Sequence, residues 1–463
     1  MSSTEITLIV VLGLLVAAPL YIGFTTKDKT VFWNPLTIFA TVFAYYFLIG
    51  PLIALSTGNT IAYEQNFRDV MWKPWLAGVV GLGSIYAGFA IPVFKTGRKY
   101  SEIFDDERRI QVRKFCFILF GLGMVGFAYF AIATGRSPLS ILNPIAGASA
   151  NTGSDQQAIA AGNYLFLLIN TFIPALCMWY ALNADKPVLM RLLLVGFPVM
   201  FVVFFYTTLG FRHRIVILSL ALSATAYLTQ RKRPNPGTLL LGVIGLLFGA
   251  GLIVLSRSYG QGLDLSLVSG VNSFEIFLSG FNDCGTFFTL ALVMDSMPQV
   301  LPFFGFQSLW VALTIPIPRA LWLAKPEPDY LWAINDLAGT QGQAVPLTGE
   351  HYMMAGWFGI IIGGLLVGII YRGFWNFYRA NPSNPIVMVI YAVSFGLCFP
   401  LINRGYLAQA LMEYFFALMP LVVLFWLFRS DMALPETAPA PIQAVGRPLR
   451  RHAFVPRLRR PVR

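Results

Sequence analysis

The stretch ITLIVVLGLLVAAPLYIGF, Ile6 to Phe24, carries no charge, and it decides the fold class. A helix crosses a bilayer with about 20 mainly apolar residues, and this run has that length. Lipid-facing backbone must satisfy its own hydrogen bonds, so the run reads as a helix. Met1-Ser2-Ser3-Thr4-Glu5 before it lacks the positive region of a cleavable signal, so an uncleaved span is expected. Ten further segments follow: Trp33–Leu55, Pro74–Phe94, Val112–Thr134, Tyr164–Leu182, Leu192–Leu209, Ile215–Leu228, Thr238–Leu255, Ala355–Tyr371, Pro385–Ile402 and Leu411–Phe428. The seventh is short and borrows from Phe211 onward. The expected fold is therefore all-α: a polytopic membrane helix bundle of about eleven transmembrane helices with one large external loop.

Composition points the same way. Of 463 residues, 57% are hydrophobic and 12% charged, with mean hydropathy +0.67. Soluble chains carry about 25% charged residues. Length alone suggests three soluble domains, but no soluble chain of this size hides so much apolar surface. Four cysteines (Cys116, Cys177, Cys284, Cys398) are widely spaced, which fits small core residues better than a disulfide or metal framework.

The net charge of +12 divides unequally between the two faces of an eleven-span layout. Seven basic residues lie in the link Lys95–Lys114, three more form Arg231-Lys232-Arg233, and seven arginines crowd Arg447–Arg463. The face holding these links carries 24 of 33 basic and 8 of 21 acidic residues, a net +16. The opposite face is net −4. Lys and Arg mark the cytoplasmic side, which puts the N-terminus outside, the C-terminus inside, and the protein in a bacterial inner membrane. Residues 1–430 form the membrane domain, including the external loop 256–352. Residues 431–463 read as a disordered tail, Pro/Ala-rich and then Arg-rich, that contacts anionic lipid rather than nucleic acid. Within the long loop, the apolar stretches Phe287–Met294 and Leu309–Ile317 predict helices lying at the outer surface or re-entering it.

Cations on the outer face run against the charge rule, so they single out candidate chemistry. Arg212 and Arg214 sit in the tight link Gly210-Phe211-Arg212-His213-Arg214. Guanidinium groups there either snorkel to the boundary or fork onto phosphate oxygens. In Pro318-Arg319-Ala320-Leu321-Trp322-Leu323-Ala324-Lys325-Pro326, Arg319 and Lys325 flank Trp322. That tryptophan is either an interfacial anchor or an aromatic platform for a ligand. Gly349-Glu350-His351-Tyr352 stands where the long loop re-enters the membrane ahead of Gly356-Trp357-Phe358-Gly359. Glu350 or His351 can act there as a general base within reach of a proton, and His351 can equally be a satisfied interfacial residue. Arg404, in Asn403-Arg404-Gly405, adds an outer cation beside a glycine. Nucleotide-binding, zinc-protease and serine-hydrolase signatures are missing from the chain, and no metal or cofactor is expected.

In order and layout these motifs resemble the O-antigen and oligosaccharide repeat-unit polymerases, integral membrane glycosyltransferases. The likeness rests on Gly210-x-Arg212, Pro318-Arg319-x-x-Trp322-x-x-Lys325-Pro326, Gly349-Glu350-x-Tyr352 with Gly356-Trp357-Phe358-Gly359, and Arg404-Gly405. Leu323 replaces a proline frequent after the tryptophan, and His351 replaces a smaller residue. The resemblance implies a chain or repeat unit transferred from polyprenyl diphosphate to a sugar hydroxyl of another lipid-linked unit, on the periplasmic side. It further implies a flippase or chain-length regulator as partner, and a product in lipopolysaccharide or exopolysaccharide. Positioned cations can stabilise the diphosphate leaving group without a metal. Arg212, Arg214 and Arg319 are the expected diphosphate contacts, supported by Lys325 and Arg404. Glu350 is the first candidate for activating the acceptor hydroxyl, and His351 the second. An O-antigen ligase uses the same chemistry on another acceptor. A transporter or flippase of lipid-linked glycan would use the outer cations for binding alone.

Overall fold

The computed structural model describes residues 1–92, 99–100, 106–143, 163–209, 212–258, 262–281, 285–314, 317, 321–327, 329–339 and 344–432. Gly210, Cys284, Arg319 and the arginines of the tail lie outside the described residues.

The protein is an all-α polytopic bundle, and a helix stands at each of the eleven expected positions. They are α1 (Ser3–Thr25), α2 (Pro35–Ser56), α3 (Trp72–Ala90), α4 (Asp106–Thr134), α5 (Leu165–Leu182), α6 (Val188–Thr208), α7 (Arg212–Thr229) and α8 (Pro236–Ser256). After the long connection come α12 (Leu347–Ala380), α13 (Pro385–Asn403) and α14 (Leu407–Met432). Among the described residues nine of these are long and apolar enough to span a membrane; α3 and α7 are the two more polar ones. Among the described residues the connection holds the short helix Ser273–Ser279 and three longer ones: α9 (Gly285–Ser296), α10 (Gln307–Thr314) and α11 (Asp329–Ala338).

Local sequence sets the helix starts. Asn34-Pro35 and Asn384-Pro385 use the same device, an asparagine oxygen accepting from the first free N–H groups with proline at the first helical position. Ser2 and Glu5 form a reciprocal capping box on α1. Helix α12 runs to Ala380, well past Tyr371, where the apolar pattern stops. Its last turns carry Arg372 stacked on Phe89 and Arg379 stacked on Trp375, so the aromatic faces carry the charges onward.

Burial ranks the helices by position. In α13 nearly every residue is buried, and it packs against α2, α5, α7, α12 and α14. Helix α8 buries only Gly251 and Ser256, as suits a helix at the lipid-facing rim. The pair α3 and α12 approaches unusually closely: a Cβ on Gly88 would lie 2.1 Å from the Leu365 carbonyl, and one on Gly368 2.2 Å from that of Ile85. Small residues at such crossings let backbones touch where hydrophobic burial offers little driving force.

Two fold-backs shape the long connection. The short helix Ser273–Ser279 returns along α8, close enough that a Cβ on Gly251 would strike the Ile276 carbonyl. Inside α12 the backbone leaves helical geometry at Ala355 and Gly356, the latter at φ +61°, a region glycine enters without a Cβ clash. The segment before this break doubles back on the one after it. A Cβ on Gly359 would lie 1.9 Å from the His351 carbonyl, and one on Gly363 2.2 Å from the His351 ring. In a straight helix residues 351 and 363 would be about 18 Å apart. Helix α9 is buried from Thr286 to Met294, with Phe287 against Trp75 and Phe47, so this apolar stretch sits inside the bundle and not across its surface.

Candidate functional site

The links between helices gather at two faces. At the first, Arg68 pairs with Glu5 at 2.5 Å, Lys73 with Asp295 at 2.7 Å, and the Gly405 N–H donates to the Val345 carbonyl at 2.6 Å. At the second, the Trp33 indole donates to the Lys232 carbonyl at 3.2 Å, Arg231 donates to Ser383 at 2.5 Å, and Arg379 pairs with Asp28. Links after odd-numbered spans meet only at the second face in these contacts, as an alternating layout requires.

Three segments distant in sequence build a cavity at the first face. The fold-back of α12 delivers Glu350 and Met353, α11 delivers Tyr330, and the link into α14 delivers Arg404, Tyr406 and Gln409. The cavity holds about 180 Å³. Between the lining residues Arg404 and Tyr406, Gly405 packs so closely that a Cβ there would lie 2.5 Å from the Leu347 nitrogen. Arg404-Gly405 therefore touches, backbone to backbone, the segment Val345–Leu347 that leads directly into Gly349-Glu350.

Glu350 is buried, and its carboxylate does two jobs locally. One oxygen accepts the Leu407 N–H at 2.8 Å, at the positive start of α14, where an anion is favoured. The other faces the Tyr330 hydroxyl at 3.4 Å. Burial, together with the neighbouring Glu350 carboxylate, raises the Tyr330 phenol well above its ordinary value, and the same causes push Tyr406 up to about 12. Both phenols keep their protons near neutral pH and stand as hydrogen-bond donors.

A second polar cluster adjoins the cavity through Gln409. Its amide donates to Glu413 at 3.1 Å, and the same carboxylate oxygen lies 3.1 Å from the His213 ring. Both members of that pair are almost fully buried. Arg214, also buried, stacks over Phe166 at 5.5 Å and feels the charges of Glu413 and Arg404. A buried charge set of this kind persists only when its members compensate one another. The link Arg212–Arg214, the link at Arg404 and the start of α14 thus converge.

The remaining candidates stand apart. His351 does not line the cavity; its ring packs on Gly363 and serves the fold-back. Lys325 donates to the Ile317 carbonyl at 3.0 Å, and Trp322 is half-buried beside it; neither lines the cavity. Arg212 begins α7 and is half-buried. Arg319 lies outside the described residues. Among the described residues no three His, Cys, Asp or Glu side chains come together as metal ligands would. Cys116, Cys177 and Cys398 are free and buried. Tyr330, Tyr406, Gln409 and the role of Glu413 escape sequence reading. The only sequence signal is the i, i+4 spacing of Gln409 and Glu413, which puts both on one face of a helix.

Comparison with protein families, characterised proteins and solved structures finds no match for this chain.

Proposed function

We propose that the protein is a glycan-transferring membrane enzyme that extends lipid-linked oligosaccharide repeat units at its first face, taken as the periplasmic one. The observation that carries this reading is the cavity where Glu350 and Arg404 meet, two residues singled out separately by the repeat-unit polymerase resemblance. An acid and a cation beside a bilayer suit a substrate that is part sugar hydroxyl and part diphosphate.

The chemistry balances on these groups. The acceptor hydroxyl oxygen forms a bond to the anomeric carbon of the donor glycan, and the bond from that carbon to the diphosphate oxygen breaks. The electron pair leaves with polyprenyl diphosphate, where Arg404 stabilises the charge, with Arg214 behind it. The hydroxyl proton passes to the Glu350 carboxylate. Tyr330 and Tyr406, held neutral, donate hydrogen bonds to sugar or phosphate oxygens. Both polyprenyl tails stay in the bilayer.

The test is reconstitution of the protein with polyprenyl-diphosphate-linked repeat units, followed by sizing of the glycans. Lengthened glycans, lost in Arg404→Ala and Glu350→Gln, support the reading. Transfer only to a different acceptor makes the protein a ligase. Movement of intact lipid-linked glycan across the bilayer without extension makes it a transporter.

A further inference from the structure

A second cavity of about 140 Å³ opens on the flank of the bundle between α4, α5 and α6, and shares no lining residue with the Glu350 cavity. Its walls include Phe117 and Phe120 of α4, Leu176 and Trp179 of α5, and Leu194 and Pro198 of α6. Apart from the Trp179 indole, which is already spent on the Leu194 carbonyl at 3.0 Å, these side chains have no hydrogen-bonding group to offer. A cleft of this make-up takes a hydrocarbon chain.

The end of the cleft is different. On α4, Arg113, Phe117 and Phe120 follow at i, i+4 and i+7, so one stripe carries a cation and then apolar wall. On α6, or the turn leading into it, Arg191, Leu194 and Pro198 follow at i, i+3 and i+7 in the same order. The two guanidinium groups lean on consecutive rings of α5: Arg113 lies 6.0 Å from the centroid of Trp179, and Arg191 5.4 Å from that of Tyr180. Both cations therefore sit at one height, at the second face, directly beyond the apolar walls. Arg191 also gives one Nη1 hydrogen bond to the Ala184 carbonyl at 3.3 Å, while Arg109, one turn further out, is taken up by the Leu182 carbonyl at 2.9 Å and by Asp185.

We infer that this cleft binds an anionic glycerophospholipid, with an acyl chain between α4, α5 and α6 and its phosphate held by Arg113 and Arg191. Charge complementarity selects the headgroup, since a zwitterionic lipid brings a cation of its own to two arginines. Stacking on Trp179 and Tyr180 holds both guanidiniums in place before a lipid arrives, which lowers the ordering cost of binding. The site lies at the opposite face from the Glu350 cavity, so it takes a resident membrane lipid and is independent of the glycan-transfer reading.

The full-length protein is reconstituted with phosphatidylglycerol or with phosphatidylcholine of identical chains, and retained lipid and melting temperature are measured. Wild type retains one phosphatidylglycerol and melts higher in its presence than in phosphatidylcholine. The double variant Arg113→Ala, Arg191→Ala loses that lipid and the shift, and Leu194→Trp, which fills the cleft while sparing both arginines, does the same. Lys114→Ala, an exposed cation adjacent in sequence to Arg113 but off its stripe, keeps both. Equal retention of the two lipids by wild type overturns the inference, as does an undiminished lipid in the Leu194→Trp protein, or a loss in Lys114→Ala as large as in the double variant.

Discussion

Glu350 is at once a candidate base and part of the scaffold, and the right substitution separates these uses. In Glu350→Gln the amide oxygen still accepts the Leu407 N–H, so the start of α14 keeps its partner. The proton-accepting carboxylate is gone. General-base catalysis is worth about 10²–10⁴-fold, so glycan extension by reconstituted Glu350→Gln falls by about that factor while the melting temperature stays near wild type. Full extension by a folded Glu350→Gln protein would reduce Glu350 to a helix cap. Glu413 makes the complementary case. It touches His213 and Gln409 inside the bundle and lies in the field of Arg214. A buried hydrogen bond to a charged group is worth about 1.5–3 kcal/mol, so Glu413→Gln, which removes the charge that His213 and Gln409 face, lowers stability by an amount of that order. A double-mutant cycle with His213→Phe reads the share owed to the pair. A coupling near zero would show that the two side chains merely coexist.

Among the elements, the fold-back in α12 matters most, because it carries Glu350 to the link that carries Arg404. Contact between Val345–Leu347 and Gly405 locks the two together. In Gly405→Ala the new methyl meets backbone, which cannot rotate away as a side chain can. Strain of this kind costs about 1–3 kcal/mol, and the link must retreat, taking Arg404 from Glu350. Gly405→Ala is therefore expected to lose both melting temperature and transfer. Gly83→Ala, on α3 with open space around it, is expected to lose neither. A Gly405→Ala protein as stable and active as wild type would break the link between the two motifs. The helices themselves were readable from apolar length, because a bilayer imposes one length on every span. The fold-back was not, since a glycine at positive φ looks in sequence like any glycine in a membrane helix. Glu350 and Arg404 stood out as charges on an apolar boundary. Tyr330 and Tyr406 did not, because an aromatic near a membrane surface has an ordinary reason to be there, and only packing between remote segments brings them to the carboxylate.

At the scale of the whole molecule, charge and packing make separate statements about sidedness that have to agree. By the charge excess, the links 95–114 and 231–233 are expected on the cytoplasmic side. Packing joins Lys232 to Trp33, Arg231 to Ser383, and Arg379 to Asp28, so residues from four links or helix ends share that face. On the other face, Arg68 meets Glu5, which ties the link 57–71 to the first residues of α1, and Lys73 meets Asp295, which ties the start of α3 to the long connection. Exposed positions from each set give a direct measurement: Asn59 and Ala324 from the first face, Gln230 and Asn235 from the second. With single cysteines placed there in a background lacking the four native thiols, a membrane-impermeant maleimide on intact spheroplasts labels Asn59→Cys and Ala324→Cys. Gln230→Cys and Asn235→Cys react only after permeabilisation. The reversed pattern would turn the protein over in the membrane and put the Glu350 cavity in the cytoplasm, out of reach of periplasmic glycan. Different sidedness for Asn59 and Ala324 would break the alternation itself. The labelling therefore tests the proposed reaction through the first of these outcomes and the span count through the second.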